Sequence, residues 1–278
     1  MKTIKGIWRF SRVICYTFVC LFQAYTRFKH VDRKEKGRML RYYPTQVLKL
    51  AGVRCSYEGH VPELLHECGL TDTPPACLVL SNHVSWLDIF SLDSQLPSRF
   101  IAKAEIAKWP IFGLIAQQIG TLFINRSSKR AILRINDDIR GALCNCEAVT
   151  IFAEGTTTFG NELLPIKANF IAPVCEIGAT VQPVILSYKN KGKPTKQAAF
   201  SGDVTLFGSL WNVVTMEDAE VVVHFLEPIT NTKDLTRHEV AKICEERMRA
   251  KLQEIWGDEY IANDANAAEA LAKARGYA

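Results

Sequence analysis

Several absences bound what this chain can be. It has no run of about 20 apolar residues, the length a bilayer crossing takes; its longest apolar stretch, Val13 to Phe22, is about half of that. No CxxC pair occurs, and the nine cysteines are odd in number, several of them in apolar runs. Free thiols in a reducing compartment fit that pattern better than a disulfide framework or a zinc site. There is no GxSxG elbow, no GxxxxGK[ST] phosphate loop and no HExxH pair, which argues against three common hydrolytic and nucleotide-using chemistries. Acidic residues are scarce at the start: residues 1–50 hold only Asp32 and Glu35 against twelve Lys and Arg, while the rest holds 27 acids and 22 bases. Such asymmetry points to a basic segment that meets an anionic partner, membrane or nucleic acid. The early apolar stretch is followed by bases instead of a small-residue cleavage site, so no cleavable signal peptide is expected.

What is present is globular. Apolar residues make up 48% and charged residues 23% of 278, enough to bury a substantial core. Residues 1–52 read as two helices, one apolar with Trp and Tyr near its ends, one basic and then amphipathic up to Gly52. They form a helical hairpin expected to lie on or insert into one leaflet, held by anionic lipid. Nucleic acid is disfavoured as the partner, because the aromatics sit within an apolar helix and do not interleave with the bases. Residues 53–256 alternate apolar runs with helical periodicity. Strands are expected at 53–58, 77–80, 98–103, 121–124, 149–152, 181–186 and 221–226, with helices between them. This predicts a single α/β domain with a mixed, largely parallel sheet flanked by helices. Residues 257–278 form an Ala-rich tail.

Polar groups follow three of the buried strands: His83 after Leu80, Arg126 after Ile124 and Glu154 after Phe152. In open α/β sheets ligands gather beyond the carboxyl ends of the strands, so parallel strands would bring these groups to one mouth. Within Asn82-His83-Val84-Ser85-Trp86-Leu87-Asp88, an imidazole and a carboxylate stand five residues apart. On one ideal helix that spacing puts them roughly 140° apart. They can meet only if His83 lies in the turn before a helix and Asp88 in its first turn. The same spacing allows a simpler reading, in which Ser85 and Asp88 form a capping box and His83 is an ordinary turn residue. A metal site on His83 and Asp88 would need Glu154 as a third ligand, and none is expected. His30, His60, His66, His224 and His238 are isolated and read as structural or solvated.

Four blocks in order resemble the glycerolipid (lysophospholipid) acyltransferase family. Asn82 to Asp88 resembles its NHxxxxD block. Gly120-Thr121-Leu122-Phe123-Ile124-Asn125-Arg126 resembles the second, and Phe152-Ala153-Glu154-Gly155-Thr156-Thr157 the third, usually Phe-Pro-Glu-Gly-Thr-Arg. Leu164-Pro165-Ile166-Lys167 and Val181-Gln182-Pro183-Val184 resemble the family's segments beyond the third block. The resemblance implies acyl transfer from acyl-CoA or acyl carrier protein, as co-substrate and without another cofactor, to a lysophospholipid hydroxyl. It implies His83 as general base, Asp88 as the group that orients it, and Arg126, Glu154, Gly155 and Thr156 as head-group contacts. Asn82 and Lys103 are further candidates at the substrate. It also implies a membrane-associated protein at the cytoplasmic face. Thr157 replaces the usual Arg and removes a cation suited to phosphate. The Glu-Gly-Thr-Thr pattern resembles the branch that acylates lyso-ornithine lipid, though Lys103 and Arg126 could still hold the phosphate of 1-acyl-sn-glycerol-3-phosphate. A non-catalytic lipid-binding protein of the same fold is the alternative of another class.

Overall fold

In a computed structural model the described residues are 2–59, 77–125, 128–152 and 154–262. Two helices open the chain, α1 (Lys2–Thr26) and α2 (Arg33–Ala51). Asp32 caps α2 by accepting from the Glu35 amide at 2.8 Å, and Gly52 ends it with a left-handed φ of 77°. Among the described residues eight strands come after them: β1 (Val53–Gly59), β2 (Cys77–Ser81), β3 (Arg99–Lys103), β4 (Leu122–Ile124), β5 (Val149–Phe152), β6 (Thr180–Asn190), β7 (Lys193–Pro194) and β8 (Ala219–Phe225). Between and beyond the strands lie α3 (Leu87–Gln95), α4 (Phe112–Gln118), α5 (Lys129–Cys144), α6 (Ala172–Ile177), α7 (Leu206–Val214) and α8 (Arg237–Trp256).

The strands form one sheet in the order β1-β8-β6-β2-β5-β3-β4, with β7 folded back on β6. From β6 to β4 all neighbours are parallel, and β8 runs antiparallel to β6 while pairing parallel with β1. Strands β2 and β5 are buried along their whole length, as expected for parallel strands covered on both faces. Side chains alternate across β6. Val184, Leu186 and Tyr188 join a core with residues of α1, α2, α3 and α7, and Val181 and Ile185 join a second core with residues of α5, α6 and α8. The expected mixed, largely parallel α/β sheet is what the chain forms.

Local departures have local causes. The helix expected from Trp109-Pro110 starts only at Phe112, because Ile111 takes a φ of 65°. The helix expected over 167–177 is a 3₁₀ turn, Ala168–Phe170, and then the short α6, which Pro173 opens. The strand expected at 181–186 runs to Asn190, and its extra residues hold the antiparallel pairing to β8. The start of the tail is tied down: Ile261 donates to the Asn161 carbonyl at 2.8 Å, and Asn161 Nδ2 donates to the Glu259 carbonyl at 2.8 Å. The rest of the Ala-rich tail, like His60 and His66, lies outside the described residues.

Helices α1 and α2 pack against each other, and α1 also packs on α4 and α7. Arg9, one of the twelve early bases, turns inward and donates to the carbonyls of Val214 and Met216 at 3.1 and 3.0 Å. Among the described residues no helix is long and apolar enough to cross a membrane.

Candidate active site

Strands β2, β5, β3 and β4 are neighbours and parallel, so their carboxyl ends make one edge. His83 follows β2, Glu154 follows β5, and Lys103 ends β3 one residue beyond the level of Phe152. Arg126, expected after β4, lies outside the described residues.

The His83 turn precedes α3, and Asp88 is in the first turn of that helix. This is the one arrangement in which the five-residue spacing works. His83 Nδ1 and Asp88 Oδ2 are 2.7 Å apart. The same carboxylate oxygen accepts from the amides of Val84 and Ser85 at 2.7 and 2.9 Å. Its other oxygen accepts from the Tyr188 hydroxyl at 2.6 Å. Asp88 is 0% exposed. A buried carboxylate persists when it is fully hydrogen-bonded, and this one gathers four donors. Nδ1 therefore carries the proton that faces Asp88, and Nε2 is left with its lone pair outward. The capping box is only half made. Asp88 accepts from the Ser85 amide, but the buried Ser85 hydroxyl has no partner among the described residues.

The ring is held from the side as well as from behind. His83 stacks on Phe152 with centroids 3.9 Å apart and planes 9° apart. The Thr158 amide donates to the His83 carbonyl, and the Phe200 amide to the Val84 carbonyl, both at 2.8 Å. Gly160 matters for this packing: a Cβ there would sit 3.0 Å from the Val84 side chain.

Glu154 has a different place from the one expected of a head-group contact. It is buried, and its two oxygens accept from the amides of His83 and Leu164, each at 2.9 Å. Burial pushes its pKa up to about 8, against those two amides, which pull it down. In this arrangement it fixes the backbone of the His83 turn to the 155–164 loop. Asn82 also departs from a substrate contact. It is fully buried, donating to the Leu186 carbonyl at 3.1 Å and accepting from the Leu186 amide at 2.7 Å. Its amide group mimics a peptide and extends the β2–β6 pairing by one step. Gly155 turns the chain with a φ of 77°, a left-handed conformation that favours glycine. Thr156 is buried next to it. Thr157, where the family pattern has Arg, donates its hydroxyl to the Phe200 carbonyl.

Sequence reasoning missed Tyr188 and Phe152. Tyr188 stands 100 residues from Asp88 and reaches it only through the alternation of β6, which no local motif marks. Among the described residues no group of three or more His, Cys, Asp or Glu is set to hold a metal ion.

A histidine fixed by a buried carboxylate at the carboxyl edge of a parallel sheet defines a protein equipped for general-base chemistry. A family model described as Acyltransferase matches residues 62–187. A 1-acyl-sn-glycerol-3-phosphate acyltransferase of Neisseria gonorrhoeae is 39% identical over 178 residues, 64% of this chain and 69% of that protein. A lyso-ornithine lipid O-acyltransferase of Pseudomonas aeruginosa is 39% identical over 175 residues, 63% of this chain and 67% of that protein. The crystal structure of the 1-acyl-sn-glycerophosphate acyltransferase PlsC from Thermotoga maritima shares the fold. Its TM-score is 0.63 at 17% identity, covering 92% of this chain and 98% of that one. The chain belongs to the acyltransferase family.

Proposed function

We propose that this protein is an O-acyltransferase that moves a fatty acyl group from acyl-CoA or acyl carrier protein to the free hydroxyl of a lysophospholipid. The observation that carries the reading is the 2.7 Å contact between His83 Nδ1 and a fully buried Asp88. With Nδ1–H committed to Asp88, Nε2 takes the proton of the acceptor hydroxyl as its oxygen attacks the thioester carbonyl. The C–O bond forms and the carbonyl becomes a tetrahedral oxyanion. Its collapse breaks the C–S bond, and the imidazolium returns the proton to the departing thiolate. Asp88 stabilises the imidazolium between these steps without taking the proton.

The acceptor placed first is 1-acyl-sn-glycerol-3-phosphate, giving phosphatidic acid. Lys103, at the same edge as His83, supports an anionic head group. Lyso-ornithine lipid is the second reading. It is favoured by Thr157, whose hydroxyl is spent on the Phe200 carbonyl where the family pattern has a cation. An acceptor panel of the two lysolipids with one acyl-CoA decides between them. His83→Ala lowers turnover with the better acceptor at least a thousandfold while the thermal midpoint stays near that of the wild type. Retained turnover in that variant would remove His83 from the mechanism, and no product with any donor or acceptor would favour a non-catalytic lipid binder.

The lipid substrates fit a membrane-docked protein. One face of α1 presents Ile4, Ile7, Trp8, Phe18, Phe22 and Tyr25 to solvent, in two groups joined along the same face by the exposed Ser11 and Cys15 on a helix of 25 residues. Phe207 of α7, also exposed, lies beside Phe10 of α1 with ring centroids 6.4 Å apart. We place this apolar face in one leaflet of an anionic bilayer. Phe200, which braces the His83 turn, is seven residues before Phe207, so the active-site loop runs directly to the docking face.

A further inference from the structure

A groove of about 270 Å³ lies at the opposite edge of the sheet from His83. Its walls are α2, the segment entering β3, the end of α4 and the residues before β5. Strands of four to five residues at roughly 3.3 Å each put it about 15 Å from the histidine, too far for a ligand there to react.

Its charge is one-sided. Arg33, Lys34, Lys36, Arg41 and Arg99 line it, with Glu147 as the sole acid among the described lining residues. Glu147 is taken by Arg99, at 2.7 Å. Among the described residues the other four bases have no carboxylate in an ion pair. Arg33 and Arg41 are instead held in place through carbonyls, those of Cys146 at 2.7 Å and Gln95 at 3.1 Å. Among the described residues the buried Nε of Arg41 has no partner, nor has the buried Oε1 of Gln118; the buried Oε2 of Glu147 lies at ion-pair distance from Arg99 but accepts no hydrogen bond. The remaining wall is apolar, with Phe28, Leu40, Pro97 and Ile119. Gly37 stands midway between Arg33 and Arg41 on α2, and a Cβ there would meet nothing within 4 Å. The wall is therefore open on the turns of α2 between Arg33 and Arg41.

Fixed cations, an unused buried donor, an unused acceptor and an apolar side together suit an anionic amphiphile carrying a hydroxyl. Phe28 joins the groove to the end of α1, just beyond the exposed Phe22 and Tyr25. We infer that this groove binds an anionic phospholipid of the bilayer, its phosphate between Arg33 and Arg41 and its acyl chain along Phe28 and Leu40. The inference rests on the membrane reading of α1 and is independent of acyl transfer. Such a site would register the protein on anionic membrane at the edge away from catalysis.

The test uses the full chain and dihexanoylphosphatidylglycerol below its micelle concentration, so that vesicle attachment plays no part. Saturable binding is expected in calorimetry. Gly37→Phe, which fills the opening and leaves every charge, weakens it at least tenfold. So does the triple change Arg33→Gln, Lys34→Gln and Lys36→Gln, which carries the test should the first variant fold poorly. Dihexanoylphosphatidylcholine and inorganic phosphate each bind at least tenfold more weakly than the anionic lipid. His83→Ala binds within twofold of the wild type, which separates this site from the catalytic one. Wild-type affinity in both groove variants, equal affinity for the zwitterionic lipid or for inorganic phosphate, or loss of binding in His83→Ala would each overturn the assignment.

Discussion

At the scale of single residues, Tyr188 decides how Asp88 uses its charge. The hydroxyl donates to the oxygen that His83 does not touch, so it draws charge away from the imidazole while it fixes the carboxylate plane. Its own ionisation is pushed well above the usual phenol range, by burial first and then by the Asp88 charge, so it stays a donor. Tyr188→Phe keeps the ring in the core and removes the hydroxyl alone. A hydrogen bond to a charged group contributes about 1.5–3 kcal/mol, and a part of that felt in the transition state lowers kcat about tenfold. A drop in thermal midpoint with kcat unchanged would make Tyr188 a packing residue only. The meeting of His83 and Asp88 was legible, because type and spacing alone limit how the two can touch. The assignments of Asn82 and Glu154 were not. A polar side chain in a motif can serve the backbone as readily as a ligand, and only burial and partners tell the two apart.

At the scale of elements, the edge β6-β8-β1 is tied by a polar chain that no motif announces. The Ser187 hydroxyl on β6 and His224 Nε2 on β8 are 2.8 Å apart. His224 Nδ1 meets Glu58 of β1, which Lys251 of α8 also reaches at 3.3 Å. Burial lowers the His224 pKa from its usual value. Lys251 and Lys189 add to that, while Glu58 opposes it. The folded state thus holds His224 neutral where the unfolded chain would protonate it. Its contribution to stability is full above about pH 6.5, the ordinary histidine value, and shrinks as pH falls below it. Glu154 works with the opposite sign. It keeps its proton in the folded state up to about 8, so stability from that group declines as pH rises from about 4.3, the ordinary glutamate value. The two are separated by difference. Acidification from pH 7.5 to pH 5.5 shifts the thermal midpoint of His224→Gln more favourably than that of the wild type. An equal shift in the two proteins would assign the pH dependence elsewhere. Element positions were largely legible, because fully buried parallel strands such as Val149–Phe152 are short apolar runs between helical periods. Strand order was not legible: the antiparallel β8, inserted between β6 and β1, is specified by long-range packing.

At the scale of the whole molecule, the helix that carries more exposed large apolar side chains than any other described element also links two distant polar regions. Near its start α1 lies against α7, through Gly6 beside Thr215 and Arg9 on the carbonyls of Val214 and Met216. At its far end the chain delivers Phe28 to the basic groove. A helix of 25 residues is roughly 37 Å long, enough to set both edges of the sheet against one surface. The composition asymmetry suggests an anionic partner, but the fold divides the labour. Arg9, Arg33 and Arg41 are anchored on backbone carbonyls, and the outward face of α1 is apolar. Attachment to vesicles should therefore have two separable parts. Raising salt from 0.1 to 1 M shortens the screening length from about 10 to about 3 Å and weakens binding to vesicles rich in phosphatidylglycerol without abolishing it. Replacing Trp8 and Phe22 by Asp removes two side chains that contribute about 1.5–3 kcal/mol each when buried, so binding falls more than tenfold at either salt concentration. Trp8, with the Arg12 guanidinium 4.0 Å above its ring, is suited to the interface between lipid and water, where an aromatic body and a cation can both be satisfied. Complete release by salt alone, together with wild-type binding of the double variant, would make the attachment purely electrostatic and leave the apolar face of α1 unexplained.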